Sequence, residues 1–480
     1  MQFNSYIFIM AFLPVLVTGY FLLNKLRPLY GKLFLIVGSA VFYVYGGWDV
    51  ALVLLASILV NYGLASLVPK AKNKRLLLAI DVLCNVGLLL YFKYSNFFIS
   101  NVNSFAHKEI PLLGLVLPLG ISFFTFQQIM YVVNVSRGDV TLDILDYLAY
   151  ILYFPKLLMG PLNDPKDFIG QVNDPERKRV DWDNIACGIK VFSFGLFKKV
   201  LLADTFAAAV SWGFENLDVA TSMDLFLVML FYTFQIYFDF SGYTDMAMGV
   251  STMLNIDLPM NFDSPYKALS IRDFWKRWHI SLTNFFTKYV YIPLGGSRKG
   301  KLRTYVNVMI IFLISGIWHG ANWTFLLWGA LHGLFSLFDR IFEKQEEKIT
   351  KPIRWGITFL AVSVLWLLFR SESIGQWAEI LGRIFRFQSM AVSGGLNGSF
   401  ILAEASLVYS ALHLYGLCKD TSSFSLLLFT LAGFFLCLVP KNNYKNLKKN
   451  SYFMLILAIA AFLWSFLSLT SESVFVYFNF

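Results

Sequence analysis

Fourteen apolar stretches, most of them near the length of a bilayer crossing, follow one another along this chain. They cover residues 6–23, 33–47, 51–67, 76–92, 112–133, 147–158 and 189–202, then 225–250, 306–318, 323–338, 357–369, 400–417, 425–439 and 453–467. A helix needs roughly 20 apolar residues to span hydrocarbon, where its backbone must satisfy its own hydrogen bonds. Several stretches are short or carry polar residues, so about 10 to 12 crossings are expected, with re-entrant or interfacial helices besides. The expected fold is an all-α, polytopic transmembrane helical bundle. Composition agrees, because 57% hydrophobic and 15% charged residues, with mean hydropathy +0.60, lie far from an ordinary soluble protein. No linker separates soluble domains, and the chain reads as one integral-membrane domain over residues 1–480, its C-terminal helices lying within 355–470.

The first apolar run has no basic leader before it and no small-residue cleavage site after it, so no removable signal peptide is expected. Lys25, Arg27 and Lys32 follow the first run, and Lys70, Lys72, Lys74 and Arg75 follow the third. The turn after the second, GGWD, has no cation. The positive-inside rule then places the N-terminus outside the cytoplasm. A net charge of +10, scattered between spans, suits anionic headgroups and phosphorylated metabolites rather than nucleic acid. Cys84, Cys187, Cys418 and Cys437 are far apart and read as inert buried thiols.

The run FYTFQIYFDFSGYTDMAMGV sets Gln235, Asp239 and Tyr243 four residues apart on one helix face within apolar surroundings. Ionisable groups at membrane depth face a bundle interior or a water-filled cavity. The stripe is either a hydrogen-bonded lock between helices or the wall of a polar tunnel. Asp245 falls off it, toward the interface.

Of five histidines, His107 lies in a polar loop and His413 in an apolar helix, where solvation and core packing are expected. His279, His319 and His332 share one third of the chain. His319 is flanked by Gly316 and Gly320, which permit close backbone approach, and an apolar run leads up to it. An imidazole can take a proton from a hydroxyl and return it to a leaving group. The residues alone leave His319 either a general base or a packing histidine. His332 and Asp339, seven residues apart, could align on one helix face. No HExxH, phosphate-loop or GxSxG pattern is present, so neither a metal site nor a bound cofactor is expected.

The runs IYFDFSGYTDMAMG (236–249), NFDSPYKALSIRDFWKRWHISLTNFFTKYVYIPLGGSRKG (261–300) and GIWHGANWTFLLWGALHG (316–333) resemble the bacterial membrane-bound O-acyltransferases. They look most like the membrane subunits of alginate and peptidoglycan O-acetylation. GISFFTFQQIMYVVNVSRG (120–138) and YFPKLLMGPL (153–162) resemble upstream motifs, so the motif-bearing core spans about 110–340. The resemblance implies a bundle perforated by a funnel or tunnel in a bacterial inner membrane, with acetyl-CoA or another acyl thioester as co-substrate. It makes His319 the catalytic histidine and His279 its companion. Trp278, Asn284, Trp318 and Asn322, with Gln235, Asp239 and Tyr243, become candidates for the tunnel or substrate contacts. Lys276, Arg277, Arg298 and Lys299, with Lys301 and Arg303, are candidates for donor phosphates, although positive-inside topology alone also accounts for such cations. The stretch from Arg272 to Gly300 is expected at the cytoplasmic surface, its aromatics at the interface.

No GDS segment of SGNH-hydrolase type occurs, so a separate extracytoplasmic partner is expected to finish transfer onto a cell-envelope polysaccharide. D-alanyl transfer to teichoic acid from a carrier protein is the alternative within the family. A solute transporter and a non-catalytic scaffold are the alternatives outside it.

Overall fold

A computed structural model of the chain describes residues 1–401, 421–440, 442–443, 451–469 and 475–476. Every extended element among the described residues is a helix. The expected run 400–417 with His413, Cys418, and most of the basic hinge 441–450 lie outside the described residues.

Seven described helices are long and apolar enough to cross a membrane: Phe8–Leu26, Trp48–Lys70, Lys74–Ala106, Ser222–Met253, Lys301–His319, Lys351–Arg370 and Thr421–Leu438. Pro28–Val44 and Tyr452–Leu467 are shorter apolar helices. The chain is a multi-pass membrane protein, and exposed side chains such as Leu83, Leu59 and Ile456 are the lipid-facing surface this requires.

The chain divides into two compact units: residues 1–196, 243–260 and 447–480 form one, residues 197–242 and 261–446 the other. In the first, Phe8–Leu26 packs on Pro28–Val44, and Lys74–Ala106 packs on the Ile121–Arg137 helix. Lys32 pairs with Asp146 at 2.6 Å, and Arg177 with Asp257 at 2.9 Å. Lys156 donates to Gln127 at 2.8 Å, with its ammonium 3.4 Å from the Tyr150 ring centroid. Asp245 is 4% exposed and is therefore buried within the protein. Cys437, in the second unit, is buried as expected, whereas Cys84 is exposed on its helix.

The second unit is built around two tightly apposed helices, Lys301–His319 and Trp323–Ile341. Glycines set their separation. A Cβ on Gly316 would meet the Phe325 carbonyl oxygen at 2.4 Å, and one on Gly329 the Phe312 carbonyl oxygen at 2.4 Å. Lys351–Arg370 packs on Trp323–Ile341 and carries the Ile374–Arg386 helix, whose Ile380 and Ile384 pack with Leu225, Met229 and Leu367. The segment from Arg272 to Gly300 forms two short helices, Ile271–Arg277 and Ile280–Phe286, then a π-type turn and glycine-rich turns. Of its aromatics, Phe274, Trp278, Phe285 and Phe286 are buried in the unit, whereas Trp275, Tyr289 and Tyr291 are half-buried.

Candidate active site

His319 is the last residue of its helix. Gly320 is extended at φ −167°, and Asn322 opens the next helix, its Oδ1 accepting from the Thr324 N–H at 3.1 Å. The imidazole is 4% exposed. Trp318, Trp328 and Phe369 present their rings edge-on to it at 4.8, 5.1 and 5.2 Å. A helix C-terminus carries partial negative charge, which favours an imidazolium formed there during proton transfer.

His279 occupies the turn between the two short helices with φ +45°, in the left-handed region that histidine enters more readily than most residues. Its Nδ1 lies 3.1 Å from Asn261 Oδ1. That oxygen also accepts from Ser281 N–H at 3.2 Å and Ser281 Oγ at 2.9 Å. Because Oδ1 is the acceptor in both, Nδ1 is the donor, and Nε2 is the basic nitrogen of this histidine. Burial pushes its pKa down to about 3, so the ring is neutral near physiological pH. The Trp318 ring, beside His319, also lies 6.4 Å from the His279 ring.

His332 extends the cluster. The Trp275 indole N–H donates to its Nδ1 at 3.2 Å, and Trp328 stands edge-on at 4.7 Å. Asp339 does not orient it; that carboxylate accepts from the Arg272 backbone N–H at 2.9 Å.

A cavity of roughly 390 Å³ opens beside this cluster, lined by Trp275 and by Ser315, one turn before His319 on the same helix. Arg272, Lys276 and Arg340 contribute cations to its wall, with hydroxyls from Thr283 and Ser336. Of the cations expected from sequence, Lys276 lines the cavity. Arg277 is held elsewhere, by Asp273 at 2.8 Å and the Asp263 carbonyl at 3.3 Å. Arg298 and Lys299 are exposed and absent from the lining, because the glycine turns carry them outward.

The remaining candidates divide. Asp239 is 1% exposed and forms an ion pair with Lys199 at 2.8 Å. Gln235 is half-buried one turn earlier. Tyr243, on the same helix, belongs to the first unit, where it stacks on Phe3 at 5.1 Å, so the expected stripe is shared between two units. Trp278 is core, packed between Phe274 at 5.5 Å and Trp366 at 4.9 Å. Asn284 is exposed on its short helix, and Asn322 is engaged as a cap, with its Nδ2 donating to the Glu372 carbonyl at 2.8 Å.

Sequence reasoning missed Arg272, Arg340, Ser315 and Lys199. Arg272 opens a segment already singled out by its charge, whereas Arg340 reaches the cavity from a separate helix and leaves no local signal. Lys199 interrupts an apolar run and could have been paired with Asp239 on the cost of burying either alone.

The profile of the membrane-bound O-acyltransferase family matches residues 136–369. The peptidoglycan O-acetyltransferase of Helicobacter pylori is 35% identical, over 100% of this chain and 97% of that protein. The probable alginate O-acetylase AlgI of Pseudomonas aeruginosa is 37% identical, over 86% of this chain and 82% of that protein. The teichoic acid D-alanyltransferase of Bacillus subtilis is 26% identical, over 53% of this chain and 67% of that protein.

Proposed function

This chain belongs to the membrane-bound O-acyltransferase family, and on that premise we propose that it moves an acetyl group from cytoplasmic acetyl-CoA toward hydroxyls of a cell-envelope polysaccharide. The observation that carries this reading is that Ser315, one turn before His319 on the same helix, lines a cavity that bears three cationic side chains. The cavity suits a thioester arm, and Arg272, Lys276 and Arg340 suit the phosphates behind it.

In this mechanism His319 is the general base. It takes the proton from the acceptor hydroxyl as the oxygen attacks the thioester carbonyl carbon. The C–S bond then breaks, and the imidazolium returns the proton to the departing thiolate. The helix C-terminus at His319 stabilises the intervening positive charge. Asn261 holds His279 with Nε2 as its acceptor nitrogen, and His279 supports the site through the shared Trp318 ring.

Acetylation is favoured over D-alanyl transfer because the peptidoglycan and alginate relatives match more of the chain at higher identity. On this reading the N-terminus is outside the cytoplasm, Lys301 lies toward the cytoplasmic face and His319 lies deeper toward the outside; the cations after the first and third apolar runs support the first of these. A bacterial inner membrane, and a separate SGNH-type protein that completes transfer, fit this direction.

The test uses the purified full chain with acetyl-CoA labelled in the acetyl group. The parent is expected to release free coenzyme A thiol and His319→Ala to lose that release. Equal release by both overturns the reading.

A further inference from the structure

Three buried nitrogens in the ring cluster around Trp328, which stands beside His319, have no hydrogen-bond partner among the described residues: Nε1 of Trp328, Nε1 of Trp366 and Nε2 of His332. All three side chains are 0% exposed. Their rings form one group, with centroids 4.7 Å apart for Trp328 and His332, 5.8 Å for Trp328 and Trp366, and 6.4 Å for His332 and Trp366. Trp328 also stands 5.1 Å from His319.

All three nitrogens are donors. An indole nitrogen only donates. His332 Nδ1 accepts from Trp275, so the proton of the neutral ring sits on Nε2. Buried polar groups are almost always satisfied, and an unmet N–H is costly in a membrane interior. Three unmet donors in one ring cluster, with no acceptor for them among the described residues, could be satisfied by an oxygen that arrives with a ligand. Trp275 links the cluster to the cavity, because its indole lines that space and sets the His332 tautomer.

Resting on the acyl-transfer reading, we propose that Trp328, Trp366 and His332 form the carbonyl pocket of the site, holding the thioester oxygen and the oxyanion it becomes. The hydroxyl oxygen bonds to the carbonyl carbon as His319 takes its proton, and the carbonyl π pair moves onto oxygen. The three N–H groups bind that oxyanion more strongly than the ground-state carbonyl, which is the condition for acceleration. The pair then returns to re-form C=O, the C–S pair leaves with sulfur, and the thiolate takes the proton from His319. Trp328, Trp366 and His332 are catalytic residues in this scheme, and Trp275 is a positioning residue.

The test uses the purified full chain. Trp328→Phe and Trp366→Phe keep a ring and remove an N–H; each is expected to lower kcat for thiol release from acetyl-CoA by about 10²-fold with little change in KM. His332→Gln, which retains an N–H, is expected to keep more activity than His332→Leu. A second readout needs no turnover. Indole ¹⁵N–H resonances of Trp328 and Trp366, assigned by the same variants, are expected to move downfield when the non-cleavable ketone acetonyl-CoA is added. If parent and all variants release thiol at equal rates, the carbonyl pocket is overturned while the acyl-transfer reading stands. If the parent releases no thiol, that reading fails and the resonances decide: displacement upholds a carbonyl-binding pocket, and unmoved resonances overturn it.

Discussion

Lys199 and Asp239 form a 2.8 Å ion pair whose side chains are only 2% and 1% exposed. Lys199 also reaches Asp204 at 2.8 Å, a carboxylate 27% exposed. Both charges of the first pair are out of water, so their attraction offsets part of the cost of burying each. The helix that bears Asp239, Ser222–Met253, has 89% of its apolar window buried inside the protein, which explains how it carries acids at all.

Removing the two partners is expected to have unequal effects. Lys199→Met removes the ammonium paired with the deeply buried Asp239 carboxylate and is expected to cost about 3–5 kcal/mol. Asp239→Asn leaves Lys199 its second partner, Asp204, and is expected to cost less. Unfolding free energies by steric trapping in bicelles check this, and equal losses for the two variants would show that the pair is not the unit of stability.

How far the sequence reaches is visible at this pair. The four-residue spacing of Gln235, Asp239 and Tyr243 singled out Asp239 within an apolar helix, but that Lys199 pairs with it depends on tertiary packing. His279, His319 and the apolar spans were legible because motif spacing and run length are local properties. The cavity wall was not: Arg272 and Arg340 come together only once the helices pack, while Arg298 and Lys299 looked equally suitable and were carried outward by glycine turns. That Trp278 and Phe274 of that segment pack into the core was not legible, because composition alone does not distinguish a membrane surface from a protein core.

Asn261 sets the tautomer of His279 through a 3.1 Å contact and braces Ser281 with the same oxygen. Asn261→Ala is expected to let the imidazole turn and to lower kcat for thiol release by roughly 10²-fold, the scale of a misplaced catalytic group. Asn284→Ala, at the exposed position, is expected to match the parent. Steady-state kinetics on both variants check this, and equal effects would remove the support for a role of His279 in the site.

Glu346 contributes a pH dependence. Burial, then the neighbouring Asp339 and the hydrogen bond to it, push its pKa up to about 7, with Arg354 and Arg272 opposing. A carboxyl whose folded pKa is raised stabilises the fold fully below its ordinary value of about 4.5 and loses that contribution as pH rises through 7. Glu346→Gln stays neutral throughout. Thermal unfolding midpoints of parent and variant are expected to be closest near pH 5 and to separate by pH 8, with the variant the more stable. A gap that does not change with pH would contradict the raised pKa of Glu346.

The central claim is that one cavity presents an acyl thioester to His319. A cryo-EM structure of the full chain with bound acetonyl-CoA measures it directly. The account expects the phosphates beside Arg272, Lys276 and Arg340, the pantetheine arm past Trp275 and Ser315, and the ketone carbonyl next to His319. Ligand density in another part of the chain, with this cavity empty, would contradict it.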